Sequence, residues 1–301
     1  MIAGLRIVSD LSLPGVVHCS DQISGGDEIV IRRARIPDSL SSVDVTFPDG
    51  QCNQKELLLN IPDVARYLVR GGNEILVDQV HTSKLGDVRA YLLGTVFGVL
   101  CHQRGITPFH ASAIEVADDC IAFAGDTGVG KSTLVAALAE RGHQVFADDV
   151  CYLQLGDNGD VQVLPGVNRL RLWEDAMAAL GCDGPGVERE WRGYNKYLIP
   201  IRPLQNPMVP RRLSRVYKLH PAPDGDAASV KRIHGAAAIE ALMQNVYRLD
   251  LAEHMGYKPA AFAVCAAVAR DVPVFRFRRP MGFDALRKGI EFLEDHLRDN
   301  Y

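Results

Sequence analysis

The sequence lacks a surplus of charge of either sign. Its 301 residues hold 33 lysines and arginines against 37 aspartates and glutamates, a formal net charge of -4. Proteins that neutralise nucleic-acid phosphates need a strong basic balance, so the composition argues against that class. We therefore expect no nucleic-acid partner.

Long apolar runs are also missing. The longest stretches, such as YLLGTVFGVLC at residues 91–101, are shorter than the roughly 18 to 20 residues that a membrane span requires. Near the N-terminus, Arg6 and Asp10 interrupt the segment where a secretory signal would have its apolar region. The sequence predicts a cytoplasmic protein without membrane association.

Closely spaced cysteines are a third absence. The seven cysteines form an odd set with no pair at the spacing of a zinc or redox site. We interpret them as buried, reduced thiols, so the chemistry of the protein must be sought elsewhere.

The first 80 residues alternate short apolar runs with turn-forming groups such as SGGDE, PDG and RGGN, which predicts a β-rich region. Residues 87–104 then show apolar residues at helical spacing. We place the domain boundary there, between a β-rich N-terminal domain of residues 1–86 and a second domain of residues 87–301. The N-terminal domain is a candidate for acceptor or partner recognition.

The strongest motif is GDTGVGKST at residues 125–133, which matches the phosphate-loop pattern G-x-x-x-x-G-K-[ST] in full. A predicted hairpin of HASAIEV and CIAFAG precedes it, and a predicted helix over residues 131–141 follows it. Glycines let backbone N–H groups surround a phosphate, to which Lys131 adds charge, and the Ser132 hydroxyl is the expected Mg²⁺ ligand. The predicted nucleotide-binding residues are Gly125, Asp126, Thr127, Gly128, Val129, Gly130, Lys131, Ser132 and Thr133.

Two adjacent carboxylates, Asp148 and Asp149, end the strand HQVFADD and should lie beside this loop. Because side chains alternate along a strand, one could face a metal ion and the other an acceptor. The pair alone leaves three roles open: holding Mg²⁺, activating a water, or removing a proton from a hydroxyl. His110, just before the hairpin, is a candidate for catalysis or for contact with the transferred phosphate.

Farther along the chain, RLRLWEDAMAALG predicts a short helix, and residues 181–212 predict a long irregular segment rich in glycine, proline and arginine. Helices are predicted near residues 236–251, 259–270 and 283–298, with the strand PVFRFR before the last. We expect one or two of six basic side chains to contact phosphate. They are Arg169, Arg171, Lys196, Arg202, Arg211 and Arg212.

Residues 110–150, HASAIEV…CIAFAGDTGVGKSTLVAALAERGHQVFADDV, resemble the catalytic core of the HPr kinase/phosphorylase family. The phrases GLRIVSDLSLPG, HQRGITPFHASA and GVNRLRLW resemble HPr-kinase-related proteins of bacterial gene clusters, including those that modify lasso-peptide precursors. The resemblance implies an α/β fold with a core like that of the ATP-dependent phosphoenolpyruvate carboxykinases. It also implies ATP as donor, Mg²⁺ as metal and a serine hydroxyl as acceptor.

Carried over to matching positions, the resemblance makes Asp148, Asp149 and His110 catalytic, with Asp148 as general base. It assigns Ser132 and Asp149 to the metal and places His110 at the transferred phosphate. The glutamate-bearing EVRG-type segment of the HPr enzymes is replaced by WRG at residues 191–193. The resemblance therefore does not extend to HPr as substrate, to the phosphorylase reaction or to a second metal contact.

Three functions fit the sequence. The first is an ATP-dependent serine kinase acting on a protein or peptide, such as a lasso-peptide precursor. The second is a kinase of a small hydroxylated metabolite. The third is a nucleotide-binding regulatory or assembly protein that hydrolyses ATP slowly. A homo-oligomer is compatible with each of them.

Overall fold

The computed structural model describes residues 1–17, 28–182, 184–191, 194–223 and 225–299. They form a mixed α/β protein with a seven-stranded, a nine-stranded and a three-stranded sheet. Cys19 and the Arg192 and Gly193 of the WRG segment lie outside the described residues.

The first sheet is built from the N-terminal part of the chain and has the strand order β1-β2-β7-β6-β5-β4-β3. Strands β3 to β7 form an antiparallel meander, whereas β1 and β2 add to its β7 edge in parallel. Its strands are β1 (Arg6–Ser9), β2 (Glu28–Arg33), β3 (Val45–Phe47), β4 (Gly50–Cys52), β5 (Glu56–Ile61), β6 (Ala65–Arg70) and β7 (Glu74–Gln79).

A helical segment follows the first sheet, as the apolar spacing predicts. It consists of α1 (Leu85–Tyr91), a π-helical turn (Leu92–Val96) and α2 (Phe97–Gln103). A π turn adds one residue to the helical repeat, and such turns often occur at functional sites.

The nine-stranded sheet carries the glycine-rich loop. Its strands run in the order β11-β9-β10-β17-β13-β12-β8, and β19, paired in turn with β18, adds to the second half of β17. The strands are β8 (Thr107–Phe109), β9 (Ala111–Val116), β10 (Asp119–Ala124), β11 (Gln144–Ala147), β12 (Cys151–Leu155), β13 (Val161–Leu164), β17 (Arg211–Ala222), β18 (Ser229–Ile233) and β19 (Val274–Pro280).

The predicted hairpin is confirmed, because β9 and β10 pair antiparallel from Val116–Asp119 to Ala111–Ala124. The expected succession of strand, loop, helix and strand is also present, with α3 (Lys131–Glu140) between β10 and β11. However, β11 pairs with β9 and not with β10, so the two strands that flank the loop and helix are separated by one strand.

The segment after residue 168 differs from its prediction. Arg169–Trp173 is strand β14, and only Glu174–Ala179 is helical, as α4. Residues 181–212 are not one irregular loop, because β15 (Glu188–Trp191) and β16 (Tyr194–Pro200) pair with β14 in the three-stranded sheet. The RLRLW stretch alternates with period two, which favours a strand, and the helical period starts only at WEDAMA.

The C-terminal helices are α5 (Gly235–Met243), α6 (Leu249–His254), α7 (Lys258–Asp271) and α8 (Phe283–Asp299). The single helix predicted over residues 236–251 is therefore wrong: the chain leaves the helix after Met243 and begins a new one at Leu249. Arg248, with a φ of 55°, occupies the left-handed region at that turn.

The nine-stranded sheet is covered on both faces. In β10, Ile121 and Phe123 point into a core shared with α3 and α8, whereas Cys120 and Ala122 point into a core shared with α5 and α7. The interpretation of the cysteines as buried, reduced thiols is confirmed for five of them. These are Cys52, Cys101, Cys120, Cys151 and Cys265.

The N-terminal sheet shares its core with the rest of the molecule. Ile31 and Tyr67 of the first sheet belong to the same buried cluster as Phe97 of α2 and Tyr152 of β12. The packing therefore continues across residue 86, where the sequence predicts a domain boundary. No helix among the described residues is long and apolar enough to cross a membrane.

Candidate active site

The glycine-rich loop, residues 125–133, connects β10 to α3. Gly128 and Gly130 have φ values of 87° and 86°, in the left-handed region that a residue with a Cβ seldom occupies. The ten-residue helix α3 begins directly after them, at Lys131. Free N–H groups and the positive end of the helix dipole thus coincide at the loop, which suits an anionic ligand.

Lys131 is folded back into this loop. It is only 6% exposed, and its Nζ donates hydrogen bonds to the carbonyl oxygens of Gly125 at 2.8 Å and Asp126 at 3.1 Å. Burial lowers the pKa of Lys131 to about 8, although the neighbouring carboxylates of Asp149 and Asp148 oppose this shift. A buried ammonium with carbonyl partners alone gains from the approach of an anion.

Asp148 faces the serine of the loop. Its Oδ1 accepts hydrogen bonds from the hydroxyls of Ser132 at 2.8 Å and Ser112 at 2.5 Å, and its Oδ2 accepts one from the backbone N–H of Arg171 at 2.7 Å. Burial raises the pKa of the Asp148 carboxyl, although these hydrogen bonds oppose the shift. Both of its oxygens are therefore engaged with the protein.

Asp149 points elsewhere, toward the guanidinium of Arg171, which donates to Asp149 Oδ2. Burial alone would raise the pKa of Asp149, but the charge of Arg171, reinforced by that of Lys196, holds the pKa below its usual range. The carboxylate is ionised at neutral pH.

A tight turn, and not the strand pleat, separates the two carboxylates. Strand β11 ends at Ala147, and Asp149 has a φ of 68°, a left-handed conformation that costs energy for a residue with a side chain. The backbone N–H of Val150 donates to the Asp148 carbonyl at 2.9 Å, closing a three-residue turn around Asp149. The sequence expectation of diverging carboxylates holds, but its cause is different.

His110 lies beside Asp149. Its Nδ1 is 2.9 Å from the backbone carbonyl oxygen of Asp149 and 3.9 Å from Asp149 Oδ1. Since a carbonyl only accepts, Nδ1 carries the proton, and Nε2 of the neutral ring is left as an acceptor. Burial and the charge of Lys131 lower the pKa of His110, which favours that neutral form.

Asn245, in the turn between α5 and α6, joins the loop to His110. Its side-chain Oδ1 accepts from the Gly125 N–H at 2.8 Å, and its backbone carbonyl accepts from the His110 N–H at 2.7 Å. Asn245 is 4% exposed. This one buried residue fixes the start of the glycine-rich loop relative to the histidine.

Two clefts meet at these residues. The first, which we call the loop cleft, contains residues of the glycine-rich loop together with Trp173, Met281 and Phe283. The second, which we call the turn cleft, lies between α1 and the turn at residues 244–250 and contains Tyr91, Thr95, Tyr247 and Arg248. The side chains that line both clefts are His110, Thr127, Asp149, Arg171, Trp173 and Lys196.

Two of the six predicted phosphate-contacting cations, Arg171 and Lys196, line both clefts. Three others form ion pairs and line neither cleft: Arg169 with Glu188, Arg211 with Glu115 and Arg212 with Asp119. Arg202 is exposed and lines neither cleft.

Several residues of the site were missed by sequence reasoning. Asn245, Tyr247 and Arg248 lie in a segment that was predicted to be continuous helix, so nothing singled them out. Arg279 directly follows the predicted strand PVFRFR and had a usable signal, because continuing the period-two alternation by one residue places it on the same face as the buried Phe277.

Among the described residues, no group of three or more His, Cys, Asp or Glu side chains could hold a metal ion unaided. The side-chain oxygens of Ser132 and Asp148 nevertheless lie together beside the loop, where both could be metal ligands. Mg²⁺ is commonly held by one or two such protein oxygens, with phosphate oxygens and waters completing its octahedron. The donor set fits this ion when a phosphate ligand is present.

No family model and no curated protein sequence matches the chain. Among solved structures, it is similar to the Hpr(Ser) kinase/phosphatase from Coxiella burnetii, with 14% sequence identity and a TM-score of 0.34. The match covers 64% of this chain and 99% of the other. A likeness at this level supports no functional assignment, which therefore depends on the site itself.

Proposed function

We propose that the protein is an ATP-dependent kinase that transfers the γ-phosphoryl group to a serine hydroxyl of a protein or peptide. One observation carries this proposal: Asp149 lines both the loop cleft and the turn cleft. Phosphoryl transfer requires a donor and an acceptor that approach one point from two sides, and in protein kinases an aspartate at that point accepts the proton of the acceptor hydroxyl.

The loop cleft suits ATP. The glycine-rich loop and Lys131 would hold the β- and γ-phosphates, as they do in other proteins with this loop pattern. Three partly exposed apolar side chains in the same cleft, Trp173, Met281 and Phe283, are 38%, 39% and 42% exposed. They offer the base a stacking surface.

The geometry favours a division of roles between the aspartates that is opposite to the one implied by the resemblance. The Ser132 hydroxyl of the loop donates to Asp148 Oδ1 at 2.8 Å, so these two oxygens lie together beside the loop, and we assign Asp148 and Ser132 to Mg²⁺. Asp149 faces both clefts, so we assign it the acceptor hydroxyl. When bound, Mg²⁺ would neutralise charge on the β- and γ-phosphates.

The charged side chains around Asp149 match this chemistry. Asp149 is ionised and can accept the serine proton, and a weak base is sufficient because the transition state of phosphoryl transfer is loose. Arg171 and Lys196, at the junction of the clefts, lie where negative charge develops during transfer. Neutral His110 adds Nε2 as a further acceptor near the hydroxyl.

The turn cleft favours a peptide acceptor. It places tyrosines on two sides, Tyr91 from α1 and Tyr247 from the turn, and Arg248 lies over the Tyr247 ring at 5.1 Å. A serine side chain could reach Asp149 while the adjoining peptide contacts these rings. A small metabolite would leave that surface unused.

The test is ADP formation and phosphopeptide mass spectrometry with a library of serine peptides, each paired with its alanine counterpart. The proposal predicts ADP formation that depends on the serine peptide and is lost in Asp149→Asn. Activity on small hydroxylated metabolites alone would favour a metabolite kinase. Tight ATP binding without acceptor-dependent ADP formation would favour a regulatory or assembly protein.

A further inference from the structure

Arg279 is an arginine buried against the glycine-rich loop. It is the penultimate residue of β19 and is only 3% exposed. Its side chain passes over α8, where a Cβ on Gly289 would lie 3.4 Å from its Cδ. The guanidinium reaches the rim of the loop cleft.

The contacts of this guanidinium are few and are all made with backbone oxygens. Nη2 donates to the carbonyl oxygens of Val129 at 3.3 Å and Gly130 at 3.5 Å, and Nη1 donates to that of Pro280 at 3.4 Å. Nε is buried without a hydrogen-bond partner among the described residues. No carboxylate of the described chain forms an ion pair with Arg279.

The contact with the loop is close. A Cβ built on Gly130 would lie 2.6 Å from Nη2 of Arg279, so the guanidinium occupies the space that any larger residue would need. Gly130 is also the residue directly before α3, where the backbone N–H groups must turn toward a phosphate.

The orientation of a peptide unit couples its two ends. When a loop turns its N–H groups toward an anion, the carbonyl groups of the same peptide planes must point away from that anion. The Val129 carbonyl accepts from Arg279 at 3.3 Å. The Gly130 carbonyl accepts from Arg279 at 3.5 Å and also from the backbone N–H of Leu134 at 2.9 Å, as the first hydrogen bond of α3.

The charge of Arg279 lacks a counter-ion. Burying a guanidinium without a carboxylate is costly, and a negative ligand nearby would offset that cost. The loop cleft, which Arg279 helps to line, is where the proposed function places the phosphates.

We propose that Arg279 is a positioning residue that keeps the Val129 carbonyl, and together with the Leu134 N–H the Gly130 carbonyl, turned away from the phosphate site, and that bound phosphate balances its buried charge. This rests on the nucleotide site of the proposed function but not on the acceptor or the transfer step. Phosphate binding is thereby coupled to β19 and α8, which hold the arginine.

The test compares Arg279→Met and Arg279→Lys with the control Arg278→Met, which removes the exposed neighbour on the same strand. Binding of sodium pyrophosphate and of ATP is measured by titration calorimetry, and Tm is measured with and without pyrophosphate. Pyrophosphate isolates the phosphate site from the base and the acceptor.

We expect Arg279→Met to bind pyrophosphate at least about tenfold more weakly, because a charge and both hydrogen bonds from the guanidinium to the loop are lost. Its Tm without ligand should equal or exceed that of Arg278→Met, since replacing an unpaired buried charge by an apolar chain is often neutral or stabilising. Arg279→Lys keeps the charge but loses the planar guanidinium with its several N–H donors, here called the fork. This variant should bind pyrophosphate with intermediate affinity.

An unchanged pyrophosphate affinity in Arg279→Met overturns the inference. So does a Tm without ligand that falls well below that of the control, which would make Arg279 a structural cation. If the methionine variant does not fold, the lysine variant decides, and wild-type affinity there overturns the role of the fork. A wild-type protein that binds neither ligand removes the nucleotide site itself, whereas binding without transfer overturns only the kinase proposal.

Discussion

The ring of His110 and the backbone of Asp149 are in direct contact, with Nδ1 2.9 Å from the Asp149 carbonyl oxygen. This bond supports the left-handed turn at Asp149 and fixes the tautomer of the histidine. The side chain proposed as base is thus held in place through its own backbone, by a residue 39 positions earlier in the chain.

Replacing each of the two aspartates by asparagine should impair a different property, the transfer rate for Asp149 and the binding of Mg²⁺ and ATP for Asp148. Asp149→Asn cannot accept a proton, so we expect the single-turnover transfer rate to fall by about 10²- to 10⁴-fold while ATP affinity changes little. Asp148→Asn should raise the Mg²⁺ requirement and weaken ATP binding together, as should Ser132→Ala. Rates and equilibrium ATP binding are compared, with exposed Asp157→Asn as control.

The roles would be exchanged if Asp148→Asn lost rate alone and Asp149→Asn lost ATP affinity. Equal losses in both properties for both variants would mean that the pair acts as one metal site.

Arg171 should set the acidic limit of activity. An ionised base is active above its pKa and is lost as the pH falls through it, and Arg171 holds the pKa of Asp149 low against the effect of burial. We expect Arg171→Met to raise that pKa, so that the acidic limb of the pH–rate profile moves to higher pH by about 1 unit or more. The exposed Arg202→Met is the control. An acidic limb that does not move in Arg171→Met argues against Asp149 as the titrating group.

Because of Lys131, ATP binding should weaken as the pH becomes alkaline. The charged form binds phosphate, and with a pKa of about 8 in the free protein this form is depleted as the pH rises. We expect ATP affinity to fall above pH 8, approaching about tenfold per pH unit, and a proton to be taken up on binding. Calorimetry in two buffers of different ionisation enthalpy measures that uptake.

The matched variants for this prediction are Lys131→Met and Lys258→Met, the second lying on α7 outside both clefts. Lys131→Met should bind ATP weakly at neutral pH and should show no fall in affinity above pH 8. If it keeps the wild-type pH dependence, another group is responsible.

Replacement of Phe283 should weaken the binding of the nucleotide base but not that of the phosphates. Loss of a stacking ring is worth about 1–3 kcal/mol per base, so Phe283→Ala should weaken ATP binding by roughly tenfold or more and leave pyrophosphate binding unchanged. Phe262→Ala, a phenylalanine that is 50% exposed on α7, is the control. Equal weakening of both ligands would mean that Phe283 supports the loop and does not contact the base.

The parts of the fold that sequence reasoning predicted correctly are those with local signals. The hairpin β9–β10 and helix α3 combine clear period-two and helical patterns with glycines at the joints, and they put the glycine-rich loop in its place. The site residues His110, Lys131, Ser132, Asp148 and Asp149 are all brought together around this loop. Their individual roles stay predictions.

The long strand β17 had no such local signal. Its sequence RRLSRVYKLHPA has basic residues at positions that a buried strand normally fills with apolar ones, yet Arg211 and Arg215 are 6% and 8% exposed. Arg211 is tolerated there because Glu115 of β9, distant in sequence, pairs with it at 2.8 Å. Local patterns carry no information about such a partner, or about the left-handed turn at Asp149, which depends on His110.

The hydrophobic core that the first sheet shares with α1, α2 and β12 also governs how the chain unfolds. Tyr67 donates a hydrogen bond to the Val88 carbonyl, and Phe97 packs edge-on against Tyr152, three residues after Asp149. A chain that began after residue 86 would expose this apolar face to water and would be prone to aggregate. Melting should accordingly proceed as one cooperative event, in which the strands of the N-terminal sheet and the turn at Asp149 lose protection from hydrogen exchange together.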